Sequence, residues 1–189
     1  YVSQKYKDGY ITRTHYSDLI RLELLKQYGG IWIDATVLCE SRTLIDNLFE
    51  GNTEFFVFKD PLALDEYVAV SSWLMYAKAQ NPYLKTVENM LLEYWKAENY
   101  LCNYFLLHIF ICIVAELKPD EWKKIPAYSC QPPHILQNEL FDIYDKRRFN
   151  QLMEMSSIHK LSYKFAEEKF EQEDTVYQHL KRLYLEEKV

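Results

Sequence analysis

Thr14 to Tyr28 carries its apolar positions at helical spacing, with Leu22 and Leu25 on one side. The run predicts a helix that stops at Gly29-Gly30, because glycine tolerates the left-handed cap conformation. Ile31-Trp32-Ile33 reads as a short buried strand ending at Asp34-Ala35-Thr36. A second apolar run, Phe55 to Phe58, stops at the turn residues Asp60-Pro61, and Val68 to Tyr76 reads as a further strand. From Pro82 the pattern turns helical, over Tyr83 to Glu98 and then Tyr100 to Leu117. Pro119 opens a break, and Pro126, Pro132 and Pro133 mark a loop region. Helices are expected next over Ile135 to Tyr144 and Lys146 to Met155. Ser156-Ser157 turns the chain into Ile158-His159-Lys160-Leu161, and Thr175 to Glu187 reads as a charged amphipathic helix. Strands come early and helices late, which predicts the α/β class.

The first helix departs from the usual rule that charge faces water. Asp18 and Arg21 fall on the same side as Leu22 and Leu25, so a carboxylate and a guanidinium point with the packing face. One reading is an i,i+3 ion pair near a helix start that Ser17 caps, with Asp18 at the positive end of the helix. The other is a pair aimed into a cleft, where a carboxylate accepts from hydroxyls and a guanidinium donates to oxygens of a polyhydroxylated ligand. Asp34 follows a hydrophobic strand directly, and in open α/β folds ligands bind beyond the carboxyl ends of strands. An ordinary turn aspartate is the competing reading.

Composition narrows the class. At 189 residues the chain suits one domain with a sizeable core. Asp and Glu outnumber Lys and Arg by 28 to 22 and no basic cluster occurs, which excludes nucleic acid as the partner. Aromatics make up 16% of the residues, which excludes a disordered segment. Cys39, Cys102, Cys112 and Cys130 show no CxxC or metal-ligand spacing; Cys102 and Cys112, in an apolar run, read as reduced core thiols of a cytoplasmic protein. Leu101 to Leu117 is broken by Asn103, His108 and Glu116 and falls short of the ~20 apolar residues of a membrane span, so a buried helix is expected there. The opening at Tyr1 reads as a piece of a longer polypeptide.

His15-x-Ser17-Asp18-Leu19-Ile20-Arg21 followed by Tyr28-Gly29-Gly30-Ile31-Trp32-Ile33-Asp34-Ala35-Thr36 is a long ordered pattern. It resembles the sugar-nucleotide glycosyltransferases marked by SDxxR, a helix, YGG and a strand running into DxD, among them mannosyltransferases and the large glucosylating toxins. It is most similar to the capsular polysaccharide synthesis proteins, which carry a GG-x-W-x-D-A-T version. Ser71-Ser72-Trp73, Asn103-Tyr104-Phe105-Leu106 and Ser157-Ile158-His159-Lys160-Leu161 fit the same group. The resemblance runs over roughly Tyr10 to Lys164.

The resemblance implies a GT-A-like, Rossmann-like nucleotide-sugar core with a helical C-terminal part. It implies one domain over 1–189, with the donor-sugar part in 1–80 and a mainly helical part carrying a His-Lys loop in 81–189. It implies Asp18, Arg21 and Asp34 as catalytic, with Ser17, Thr36, Asn103, His159 and Lys160 binding donor or phosphate. Mn²⁺ or Mg²⁺ is the implied cofactor, held by Asp34 and His159. Thr36, however, stands where the second Asp of DxD is expected, and a hydroxyl is a far poorer ligand for a hard cation. The pattern also normally follows β-α units that grip the nucleotide base, and only about a dozen residues precede it here.

The implied activity is transfer of a hexose from a UDP- or GDP-sugar to a growing, lipid-linked capsular or surface glycan, with retention. The enzyme would be cytoplasmic, with a possible peripheral contact at the inner membrane face. The rival is a non-catalytic glycosyltransferase-like module that binds glycan or a partner enzyme; a sugar-nucleotide hydrolase is a third. Among single residues, His108 reads as a hydrogen-bonded core histidine, Trp32 as a packing residue, and Trp73 as a core residue with a sugar platform as the competing reading. Asn103 is open between a helix cap and a site role, and His15 between the surface and a cleft.

Overall fold

The computed structural model describes residues 1–59 and 69–186; Asp60-Pro61, Val68 and Glu187 lie outside them. The protein is the mixture of helices and strands that the pattern predicts. The chain runs α1 (Val2–Lys7), α2 (Arg13–Tyr28), β1 (Gly30–Ile33), β2 (Val37–Cys39), α3 (Thr43–Glu50), β3 (Phe55–Lys59) and β4 (Val70–Ala77). It continues through α4 (Pro82–Ala97), α5 (Leu106–Leu117), α6 (Pro119–Lys123), α7 (Gln131–Asn138), α8 (Lys146–Met155) and β5 (Ile158–Lys160). α9 (Glu167–Phe170), α10 (Val176–Lys181) and a π-helical turn over Arg182–Glu186 complete the described residues. Two compact units form, interleaved in sequence: Tyr1–Ile33 with Leu48–Cys130, and Asp34–Asn47 with Gln131–Val189.

In the first unit, β1, β4 and β3 form an antiparallel sheet in that order, with Ile33 opposite Leu74 and Phe55 opposite Ala77. Its core joins Leu22 and Leu25 of α2, Met75 of β4, and Leu84, Leu91 and Trp95 of α4. Lys26 ties α2 to α4 by pairing with the buried Glu88 at 2.9 Å. The stop at Gly29 is obligatory. Its φ is +69°, and a Cβ there would meet the Ala79 nitrogen at 2.7 Å, so only glycine lets the end of α2 lie against the chain leaving β4.

The register of β3 on β4 breaks between Val57 and Phe58, whose partners are Met75 and Ser71. Three residues, Ser72, Trp73 and Leu74, thus have no opposite number on β3, a bulge in that ladder. Trp73 is buried and stacks on Phe58 at 4.7 Å between centroids, the packing role expected of it.

In the second unit, β2 pairs antiparallel with β5, placing Val37 opposite Lys160, Leu38 opposite His159 and Cys39 opposite Ile158. Its core gathers Leu136 and Leu140, Phe149 and Leu152 of α8, and Val176 and Leu180 of α10. Asp145 caps α8 by accepting from the Arg148 nitrogen at 2.7 Å, and the Arg148 side chain clamps Glu139 through two hydrogen bonds.

Several expectations change. The helix expected from Tyr100 begins only at Leu106, which leaves Cys102 exposed rather than in the core. Pro119 starts a short helix instead of a break, because proline suits the first helical position where no N–H is needed. Pro132 and Pro133 likewise sit in the first turn of α7, which ends at Asn138 instead of Tyr144. The expected His-Lys loop is the strand β5. Among the described residues no helix is long and apolar enough to cross a membrane.

Candidate functional site

Each unit carries one polar cluster built from the residues singled out above. In the first unit, α2 starts a turn earlier than Ser17, because Thr12 is the cap: its hydroxyl accepts from the His15 nitrogen at 3.5 Å. Ser17 therefore lies inside the helix and caps nothing. The spacing argument holds for its neighbours. Asp18 and Arg21 are 7% and 5% exposed, buried with Leu19, Leu22 and Leu25.

Burying a guanidinium requires partners for its donors. Arg21 Nη1 donates to the Ser72 carbonyl at 2.6 Å, and Ser72 has no partner in the β3 register. Nη2 lies 3.4 Å from Asp18 Oδ1, and the guanidinium carbon sits 5.0 Å from the centre of the Trp32 ring. Trp32 is thus a platform for a cation, a role its alternation with Ile31 and Ile33 did not reveal. The Asp18–Arg21 separation exceeds the 2.7–2.9 Å of a tight charge-assisted hydrogen bond.

His108 was expected to be a hydrogen-bonded core residue, and it is not. Its Nδ1 is buried with no hydrogen-bond partner among the described residues, and its ring meets Phe105 edge-on at 5.3 Å. Burial, assisted by the nearby Arg21 charge, lowers its pKa to about 4. The imidazole is therefore neutral at neutral pH. An unfolded histidine titrates near 6.5, so between 6.5 and 4 the unfolded chain binds a proton that the folded chain refuses. Stability is then lost as pH falls through that window, by at most about 3 kcal/mol from this group. Urea midpoints at pH 7 and pH 4.5 should converge more in His108→Met than in the parent; equal losses in both would remove His108 as the titrating group.

His15 reaches neither a cleft nor the surface. It is 3% exposed, with Nδ1 2.7 Å from the Thr12 hydroxyl and Nε2 3.1 Å from the Tyr104 carbonyl, so it joins α2 to the approach to α5. Asn103 is exposed and lies two residues before the Phe105 cap position of α5, where its Oδ1 accepts from the Phe105 nitrogen at 2.8 Å.

In the second unit, Asp34-Ala35-Thr36 forms a tight turn in which the Asp34 carbonyl accepts from the Val37 nitrogen at 3.2 Å. The β2–β5 pairing extends past Val37, since the Leu161 nitrogen donates to the Thr36 carbonyl at 2.8 Å. That ladder brings Lys160 to the turn. Its ammonium donates to the Thr36 hydroxyl and lies 3.6 Å from Asp34 Oδ2, with the Lys160 side chain 18% exposed.

Strand alternation sends His159 to the face opposite Lys160. His159 is 1% exposed and neither ring nitrogen has a hydrogen-bond partner among the described residues. Burial lowers its pKa, against the opposing pull of Glu40 and the Ser156 backbone, so the ring is neutral. Of the His-Lys pair, only Lys160 offers positive charge.

The donor set does not suit a hard divalent cation. Among the described residues no three His, Cys, Asp or Glu side chains gather as a metal-binding group. Asp34 has an ammonium beside it, Thr36 gives its hydroxyl oxygen to that same ammonium, and His159 alternates away. Such an ion prefers several anionic or neutral oxygens and would meet a like charge here.

The chain belongs to the capsular polysaccharide synthesis protein family, whose profile matches residues 1–180. No curated protein and no solved structure matches it. Membership assigns the chain a biosynthetic role in making capsular polysaccharide.

Proposed function

We propose that this chain is a GT-A-type glycosyltransferase that moves a hexose from a UDP- or GDP-sugar to a growing, lipid-linked capsular or surface glycan with retention at the anomeric carbon. The observation that carries the reading is the meeting of Asp34 and Thr36 with Lys160, 124 residues apart in sequence from Thr36. Family membership supports it.

Transfer breaks the bond between the anomeric carbon and the diphosphate oxygen, and the electron pair stays with the phosphate. The acceptor hydroxyl oxygen bonds to that carbon, and its proton passes to the departing phosphate, so no protein base is assigned. The chain has to stabilise the new phosphate charge and fix the sugar for attack. Lys160 supplies charge, and Asp34 orients it. Asp18 accepts from sugar hydroxyls and Arg21 donates to sugar oxygens, acting from a setting that Trp32 and Ser72 hold rigid. The lipid of the acceptor would bring the protein to the inner face of the membrane.

The test is release of nucleoside diphosphate from a panel of UDP- and GDP-hexoses, with and without a lipid extract from a capsulated bacterium. Release from one donor that rises with the extract is expected. Release that ignores the extract indicates a hydrolase, and none from any donor leaves the non-catalytic module.

A further inference from the structure

Resting on that reading of function, we propose that Lys160 does at the D-x-T turn the work of a divalent cation, so that this chain binds its nucleotide diphosphate without metal. The charge count supports the exchange. Two carboxylates and a divalent cation sum to zero, and so do the single carboxylate of Asp34 and the ammonium of Lys160. Putting Thr at position 36 removes the second negative charge that a cation would need, and the hydroxyl gained is an acceptor for an ammonium.

The geometry is built for this. Lys160 stands on β5 opposite Val37 of β2, and the pairing continues to the Thr36 carbonyl, so the lysine stem and the turn belong to one ladder. The ammonium donates to Thr36 and lies 3.6 Å from Asp34 Oδ2 as an ion pair, so one of its three N–H groups is committed to the turn. A phosphate oxygen would accept from another. Partial burial strengthens that contact, since a charge at 18% exposure is less screened than one in open water. Lysine serves as a point charge with turnable donors, which suits a diphosphate whose oxygens gain charge as the sugar leaves.

The experiment is titration calorimetry of the full chain with UDP and with GDP, in EDTA and in Mn²⁺. For the parent, one nucleotide is expected to bind with the same affinity, within about twofold, in both buffers. Lys160→Met should weaken that binding at least roughly tenfold, while Lys160→Arg, which keeps the charge, should keep most of it. Thermal unfolding of each variant identifies any that fails to fold. Thr36→Asp combined with Lys160→Met rebuilds two carboxylates without the ammonium and should bind only when Mn²⁺ is present. Parent binding that is lost in EDTA and restored by Mn²⁺ overturns the lysine-for-metal exchange and leaves the transferase reading standing. No binding of either nucleotide in either buffer overturns both.

Discussion

Asp18→Asn is expected to lower hexose transfer by roughly 10- to 100-fold while leaving the thermal midpoint within a few degrees of the parent. The size follows from the bond at stake: a hydrogen bond to a charged group is worth about 1.5–3 kcal/mol, and each 1.4 kcal/mol is a factor of ten. The fold should tolerate the change because the amide matches the carboxylate in shape. Arg21 also keeps its short bond to the Ser72 carbonyl and its place on Trp32, which offset part of the lost ion pair. Turnover equal to the parent's would remove Asp18 from the donor site and return the pair to a purely structural role.

Arg21→Ala is expected to act on stability first. The substitution removes the cation beside Asp18, leaves the Ser72 carbonyl without this donor, and opens space over the Trp32 ring, all at positions 5–7% exposed for the two charged partners and Ser72. Removing one member of a buried ion pair costs about 3–5 kcal/mol, because the other charge stays in a low-dielectric setting. Against a typical total of about 5–15 kcal/mol, that is a large share. Arg21→Ala is therefore a poor probe of catalysis, although the helix pattern alone would make it as natural a choice as Asp18→Asn. The check is a denaturant midpoint for Arg21→Ala and for Arg21→Ala with Asp18→Asn. The double variant should recover part of the loss by removing the buried negative charge; a single-variant loss under about 1 kcal/mol would mean the pair is not desolvated.

Elements with a strong local signal were legible in the sequence. α2 is fixed by its apolar spacing and the Gly29 stop, and α8 by the same periodicity behind its Asp145 cap. β2 and β5 were not legible as a pair. Three-residue strands carry too little alternation, and their partnership depends on chain returning from more than a hundred residues away. The interleaving of the two units was hidden for a similar reason: one seam falls between Ile33 and Asp34, inside an unbroken motif with no linker composition.

The clusters divide the same way. The burial of Asp18 and Arg21 could be read from charge placed among leucines. The Ser72 carbonyl could not, since a backbone acceptor leaves no trace in residue types. Asn103 makes a local contact of the kind a short polar side chain offers, while His15 bridges to the Tyr104 carbonyl 89 residues away, a partner that sequence spacing does not show.

The central claim is that Asp18 and Arg21 hold the sugar of a nucleotide-sugar donor. The measurement that bears on it most directly is the affinity of the parent and of Asp18→Asn for the preferred nucleotide sugar and for its bare nucleoside diphosphate. Asp18→Asn is expected to bind the sugar nucleotide roughly tenfold or more weakly and the bare nucleotide as tightly as the parent. Equal weakening of both ligands, or of neither, would contradict it.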